Sequence, residues 1–205
     1  GGGGAEIVFT GESDPALVEE SMPVLLKAYE ALLVQQPRNR KLLVAAGKGF
    51  TLYAFAFVQV PADKMDPARE DERRGMYGRA RELYARGRGY LFEALELSCP
   101  GFAALAQKGE LDSALAGVVE ADTTALYWAA TAWMGKLTAG GAGLSALFNL
   151  PKAARLLHKV AALNARFGRG AVHEALVSYY GLLPESMGGG EEKARESFEK
   201  AVAMA

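Results

Sequence analysis

His173 and Glu174 open the stretch "HEALV", which begins like a zinc-peptidase helix, where two histidines four residues apart grip the metal and the glutamate serves as base. Val177 stands where the second histidine would have to be, so this stretch makes no zinc site. With two histidines and one cysteine in 205 residues, a transition-metal centre has too few ligands. "GKGFT" at Gly47 to Thr51 carries the lysine and threonine of a phosphate loop. It lacks the upstream glycine spacing and the preceding strand that would wrap free amides around a phosphate, and Gly47 reads better as a small packing position. "MGGGEE" at Met187 to Glu192 could present free amides at a helix start, but Glu191 and Glu192 would repel an anion there; a flexible turn is expected. Those adjacent carboxylates show no sign of a cleft for acid/base work. Cys99, followed by Pro100 at an expected helix end, reads as a small buried hydrophobe. The expectation is a protein without catalytic residues, metal or cofactor.

Rings and arginines remain. "RARELYARGRGY" sets Arg79, Arg81, Arg86 and Arg88 beside Tyr84 and Tyr90, a pattern that can hold nucleic acid or a carboxylate. Glu82, Glu93 and Glu96 lie within reach on the same helix, so a paired, solvated face is expected. The formal charge of −1, from 23 basic and 24 acidic residues, supplies no field to recruit nucleic acid or anionic membrane. "DTTALYWAATAWMGKL" at Asp122 to Leu137 holds Tyr127 with Trp128 and Trp133, the only two tryptophans. Rings can grip a ligand or fill a core.

The elements that must position these groups are helices. Strand signals are nearly absent, and apolar residues recur at three and four spacing between Gly and Pro interruptions. The pattern predicts an all-α chain with helices over 14–36, 40–59, 73–98, 110–119, 122–138, 150–165, 169–182 and 190–204. Asp14 before Pro15 reads as an N-cap with proline at the first helical position, and Asp122 as the residue that starts the aromatic helix. "KAARLLHKVA" and "EKARESFEKAVA" superpose with Ala154 on Ala194, His158 on Phe198 and Ala161 on Ala201. That small–large–small spacing is similar to the second helix of a tetratricopeptide repeat, and it predicts a core or interface place for His158.

The partner helices follow the matching first-helix rule. Leu43, Ala46, Gly47 and Phe50 fit it, as do Leu126, Ala129, Ala130 and Trp133, and Val172, Ala175 and Tyr179. Three helix pairs follow a helix carrying "YEALL". The long connections 60–73, 99–121 and 138–150 make this a degenerate tetratricopeptide-like helical-hairpin array, with extra helices that partly close the superhelix. First helices line the concave face of such a stack. Carrying over the inward positions gives Lys41, Val44, Lys48, Thr51 and Leu52; then Thr124, Tyr127, Thr131 and Met134; then His173, Val177 and Tyr180 beside Gly170, with Arg169 at the rim. The candidate ligand- or partner-binding set is Lys48, Thr51, Tyr127, Thr131, Met134, Arg169, His173, Val177 and Tyr180. Rings and aliphatics with a few cations suit a peptide segment or an amphipathic anion. By the same register Trp133 is expected in the core, Trp128 against a neighbouring helix or subunit, and Tyr127 in the groove.

Residues 1–9, opening on "GGGG", read as a flexible tail or tether, and 10–205 as one helical-repeat domain. No apolar run reaches the roughly twenty residues of a membrane span, and the start lacks the regions of a signal peptide.

"YAFAFVQVPADKM" at Tyr53, "RARELYARGRGYLFEALELSCPGF" at Arg79, "ALYWAATAW" at Ala125 and "GRGAVHEALVSYYGLLPESMGGGEEKARESFEKAVAM" at Gly168 follow one another in an order that resembles the T components of tripartite ATP-independent periplasmic (TRAP) transporters. The resemblance covers roughly 10–204. It implies a periplasmic, lipid-anchored, non-enzymatic helical-repeat protein that associates with the transporter's periplasmic solute-binding protein. It also implies a homo-oligomer, with a trimer as the state to test, and an internal groove or pore for a small organic, hydrophobic ligand. "LNARFG" departs from the proline that normally ends such a repeat, and the leader and lipid-bearing cysteine are not in this sequence. The residues alone also fit a second reading, a generic tetratricopeptide scaffold that binds a peptide segment of a partner.

Overall fold

A computed structural model describes residues 11–205; the tether expected at 1–9 lies outside them. The described residues are all-α. In chain order the principal helices are α1 (Pro15–Gln35), α2 (Arg40–Tyr53, continued through a π-helical Ala54–Gln59 into Val60–Asp63), α3 (Glu70–Ser98), α4 (Phe102–Gln107), α5 (Leu111–Ala116), α6 (Thr123–Thr138), α7 (Leu144–Leu163), α8 (Ala171–Leu182) and α9 (Glu191–Met204).

Local chemistry accounts for several boundaries. Asp14 Oδ1 accepts from Ala16 N at 3.0 Å and from Leu17 N at 3.3 Å, which caps α1 ahead of Pro15 as expected. Asp122 behaves otherwise: no side-chain capping bond to α6 comes from it, and it turns inward. The α2 switch to i→i+5 bonding ends at Pro61, whose ring would clash with the carbonyl four residues back in a regular helix. Helix α4, which the periodicity does not reveal, is capped from α3: Glu96 accepts from Gly101 N at 2.8 Å and Ala103 N at 2.9 Å. Those two amides hold the Glu96 carboxyl below the usual carboxylate range. Helix α7 begins six residues before the expected start, and Pro151 sits inside it.

Successive long helices pack in order. Arg40 meets Ser98, Phe50 meets Tyr90 and Arg79 meets Tyr53, so α2 and α3 run antiparallel. Arg81 reaches Ala139, and Phe92 meets Trp133, so α3 and α6 do too. Close backbones need small residues. A Cβ on Gly47 would lie 2.9 Å from the Gly87 carbonyl oxygen, and one on Gly135 would lie 2.5 Å from the Tyr84 ring.

Of the first-helix positions read from the sequence, Leu43, Ala46, Gly47, Phe50, Leu126, Ala129, Ala130, Val172 and Tyr179 are buried, and Ala175 is half-buried. Trp133 is only half-buried, edge-on to Phe92 at 6.2 Å. The second-helix equivalence fails at its large position: Ala154 and Ala201 are buried, but His158 is exposed and Phe198 is 58% exposed. Nothing in α9 or α7 folds those two side chains inward. The expectation that no run could span a bilayer is also corrected. Arg40–Asp63 is long and apolar enough by length and composition, yet half of its most apolar window is buried against the other helices, as suits a core helix.

Candidate functional site

The exposed edge of α2 and the facing side of α6 bring part of the expected set together. Lys48 places its Nζ 5.4 Å above the Trp128 ring. Tyr127 stands edge-to-face on Trp128 at 5.3 Å and 83°, and lies 5.1 Å from Phe167. Lys48, Trp128, Tyr127 and Phe167 thus form one half-buried strip of a cation and three rings, with a cation–π contact at one end. Burial raises the Tyr127 phenol above its ordinary value, with Thr131 lowering it and Glu174 of α8 raising it. The phenol stays protonated and can donate. Thr131 and Met134 are half-buried on the same helix, and the Thr131 hydroxyl donates to the Tyr127 carbonyl at 3.0 Å.

A second cluster forms at α7, α8 and α9. Tyr180 Oη lies 3.3 Å from His158 Nε2, its ring is 5.0 Å from that of Tyr179, and Lys193 Nζ is 5.9 Å from the ring. His173 and Val177 are half-buried on α8. Burial first, and then Lys200, lowers the His173 pKa; His158 keeps an edge in solvent, and the partial burial of its ring, then His173 and Lys200, lower its pKa. Two imidazoles therefore share one corner with the Lys200 ammonium, whose charge disfavours their protonated forms.

Because the fold favours neutral rings there, the unfolded chain binds more protons below about pH 6.5. The stability those rings contribute is complete above that pH and is lost as pH falls through the lowered folded values. Thermal melts at about pH 7.5 and about pH 5.5 should show the midpoint drop on acidification, and His158→Gln should flatten part of that drop. An acid-side slope unchanged by His158→Gln would contradict the assignment.

Two members of the expected set stand apart. Thr51 is 1% exposed; its hydroxyl donates to the Gly47 carbonyl at 2.8 Å and abuts Gly87. The α2–α3 crossing, not a groove, occupies it. Arg169 is exposed and carries φ +53°, the one non-glycine in the left-handed region among the described residues, between Gly168 and Gly170. The left-handed turn takes the place of the repeat-ending proline. Sequence reasoning misses Phe167 in the strip, and the only available signal is its position in "LNARFG" just before the third first-helix. Among the described residues, open clefts also lie elsewhere, one of them of about 280 Å³ and lined by Pro37, Leu43, Phe92, Glu96 and Leu97. Among the described residues no group of three or more His, Cys, Asp or Glu is placed to hold a metal ion.

The chain matches a family described as TRAP transporter T-component over residues 11–205. It is also 36% identical over 195 residues to an uncharacterized protein of Treponema pallidum (strain Nichols). That alignment covers 94% of this chain and 60% of the relative, so the chain spans about three-fifths of that protein's length.

Proposed function

We propose, for a chain that belongs to the TRAP transporter T-component family and is thus a component of a TRAP transport system, a non-enzymatic adaptor role. In this reading it docks the system's periplasmic solute-binding protein and shelters or passes a small, hydrophobic organic ligand along the groove. It works in the periplasm, held to the membrane by a lipid anchor on the full-length protein, as a homo-oligomer with a trimer as the expected state. No role for nucleic acid or a cofactor enters.

The observation that carries the reading is the Lys48–Trp128–Tyr127–Phe167 strip on a chain matched to this family along nearly its whole length. Rigid rings beside a cation give contact area at low entropic cost and one point of polar specificity. Tyr180 of α8, in the second cluster with His158 and Lys193, is the further ring of the expected set.

Co-purification with the solute-binding protein encoded beside it should recover a complex, and native mass spectrometry should report subunit number and any retained small molecule together. Tyr127→Ala with Tyr180→Ala should weaken partner or ligand capture by about 10-fold, as loss of buried aromatic anchors does, with circular dichroism unchanged. Full capture of both partner and ligand by the folded double variant would sink the groove assignment.

A further inference from the structure

The four arginines of "RARELYARGRGY" end in different places. Arg79 donates to Tyr53 Oη and lies over that ring, Arg81 donates to the Ala139 carbonyl at 2.8 Å, and Arg86 pairs with Glu30 at 3.5 Å. Arg88 differs. Its guanidinium carbon lies 5.5 Å from the Phe92 centroid and 5.1 Å from that of Trp133, and these rings stand at 83° to each other. The cation sits in an aromatic corner, half-buried, with no carboxylate or carbonyl of the described residues accepting from it.

We propose that Arg88, held between Phe92 and Trp133, anchors a binding site for an amphiphilic oxyanion, a carboxylate or phosphate head carried on an apolar tail. This site is separate from the α2–α6 strip and does not rest on the role proposed for it.

Three observations converge. Burial alone lowers the Arg88 pKa, with no acid offsetting it; a partly desolvated cation without a counter-ion is costly, and stacking on rings repays only part of that. No buried side-chain nitrogen among the described residues lacks a hydrogen-bond partner, so the Arg88 donors, which meet no protein acceptor, remain open to solvent. The two rings hold the guanidinium in place, and its N–H donors that meet no protein acceptor form a fork that can match two oxygens of a carboxylate or phosphate. The faces of Phe92 and Trp133, each half-exposed, supply an apolar wall for a tail. A cation stacked only to join α3 to α6 would need neither head nor tail.

Trp133 is itself the reporter. In a Trp128→Phe background its emission is the only tryptophan signal, and it should change saturably with monomeric dodecanoate, dodecyl phosphate or both, the two arms showing which head is preferred. Arg88→Gln should raise the half-saturating concentration by about 10-fold or more, as loss of a charge-assisted bidentate bond does. Arg88→Lys should weaken binding less, while Arg74→Gln, at the exposed start of α3, should leave it unchanged. Dodecanol and inorganic phosphate should each bind far more weakly than the amphiphile. Circular dichroism checks folding, and if Arg88→Gln does not fold, Arg88→Lys carries the comparison. The proposal is overturned if neither amphiphile saturates, if dodecanol or inorganic phosphate binds as tightly, if folded Arg88 variants respond like the parent, or if Arg74→Gln abolishes the response.

Discussion

Arg40→Ala is expected to lower the unfolding free energy by about 3 kcal/mol, the low end of what removing one partner of a buried pair costs. Arg40 Nη2 donates to Asp122 Oδ1 at 2.7 Å, and its Nε donates to Ser98 Oγ at 2.8 Å. The Asp122 side chain is 2% exposed and that of Arg40 35%, so the two variants should not cost the same. Removing the arginine strands a carboxylate in the core, with only Val119 N at 3.1 Å and the Cys99 thiol at 3.9 Å left to it. Asp122→Asn leaves instead a guanidinium that can swing into water, and should cost about 1–2 kcal/mol. Adding Asp122→Asn to Arg40→Ala should recover part of the loss, because the stranded charge is gone. Urea unfolding of the four proteins gives the cycle. Equal costs, or a double variant that loses the sum, would mean that the pair is solvated and structurally idle.

The same pair marks where sequence reading stops. Asp122 occupies the position of an N-cap before the aromatic helix, and local spacing has no access to an arginine 82 residues earlier. Helix α4 escapes for a related reason, since its N-terminal amides are satisfied by Glu96 from the end of α3 rather than by a residue in its own first turn. What periodicity does carry is the small residues. Ala46, Ala129 and Ala130 are wholly buried, because a helix crossing that brings backbones together must clear Cβ atoms, and that demand appears in the sequence as Ala and Gly at fixed spacing.

The candidate site is legible to the same depth. Register alone singles out Tyr127, and in the fold it joins Trp128 and Lys48 in one strip. Thr51 has the same register and is closed off, because Gly87 lets α3 approach so nearly that the threonine lies inside the crossing. A pattern of inward positions cannot distinguish an open face from one the next helix covers. By sequence Arg88 is one of four surface cations, and only the fold shows that it lies between Phe92 and Trp133 while Arg79, Arg81 and Arg86 each meet an acceptor.

Tyr84→Ala is expected to be the most damaging single change, at about 3–5 kcal/mol, as for a large buried ring cut to a methyl. The Tyr84 ring is 2% exposed and lies on Gly135 of α6, and its hydroxyl donates to Gln59 Oε1 of α2 at 2.6 Å, so one side chain ties three helices. Burial also raises its pKa far above the ordinary tyrosine value, which keeps that donor protonated at neutral pH. Gly135→Ala attacks the same contact from the other side. Its Cβ would sit 2.5 Å from the ring's Cε1 and Cζ, and a ring held by packing and a hydrogen bond cannot step back. Overpacking of this kind costs about 1–3 kcal/mol, partly offset by the roughly 1 kcal/mol that alanine gains over glycine within a helix. In the double variant the ring is gone, the clash goes with it, and the added methyl enters the cavity. Gly135→Ala should therefore change from destabilising in the parent to neutral or stabilising in Tyr84→Ala, a reversal of sign that thermal or urea unfolding of the four proteins can read. If Gly135→Ala costs the same in both backgrounds, its effect arises from something other than the Tyr84 ring, and the close approach of α3 to α6 is not what requires glycine there.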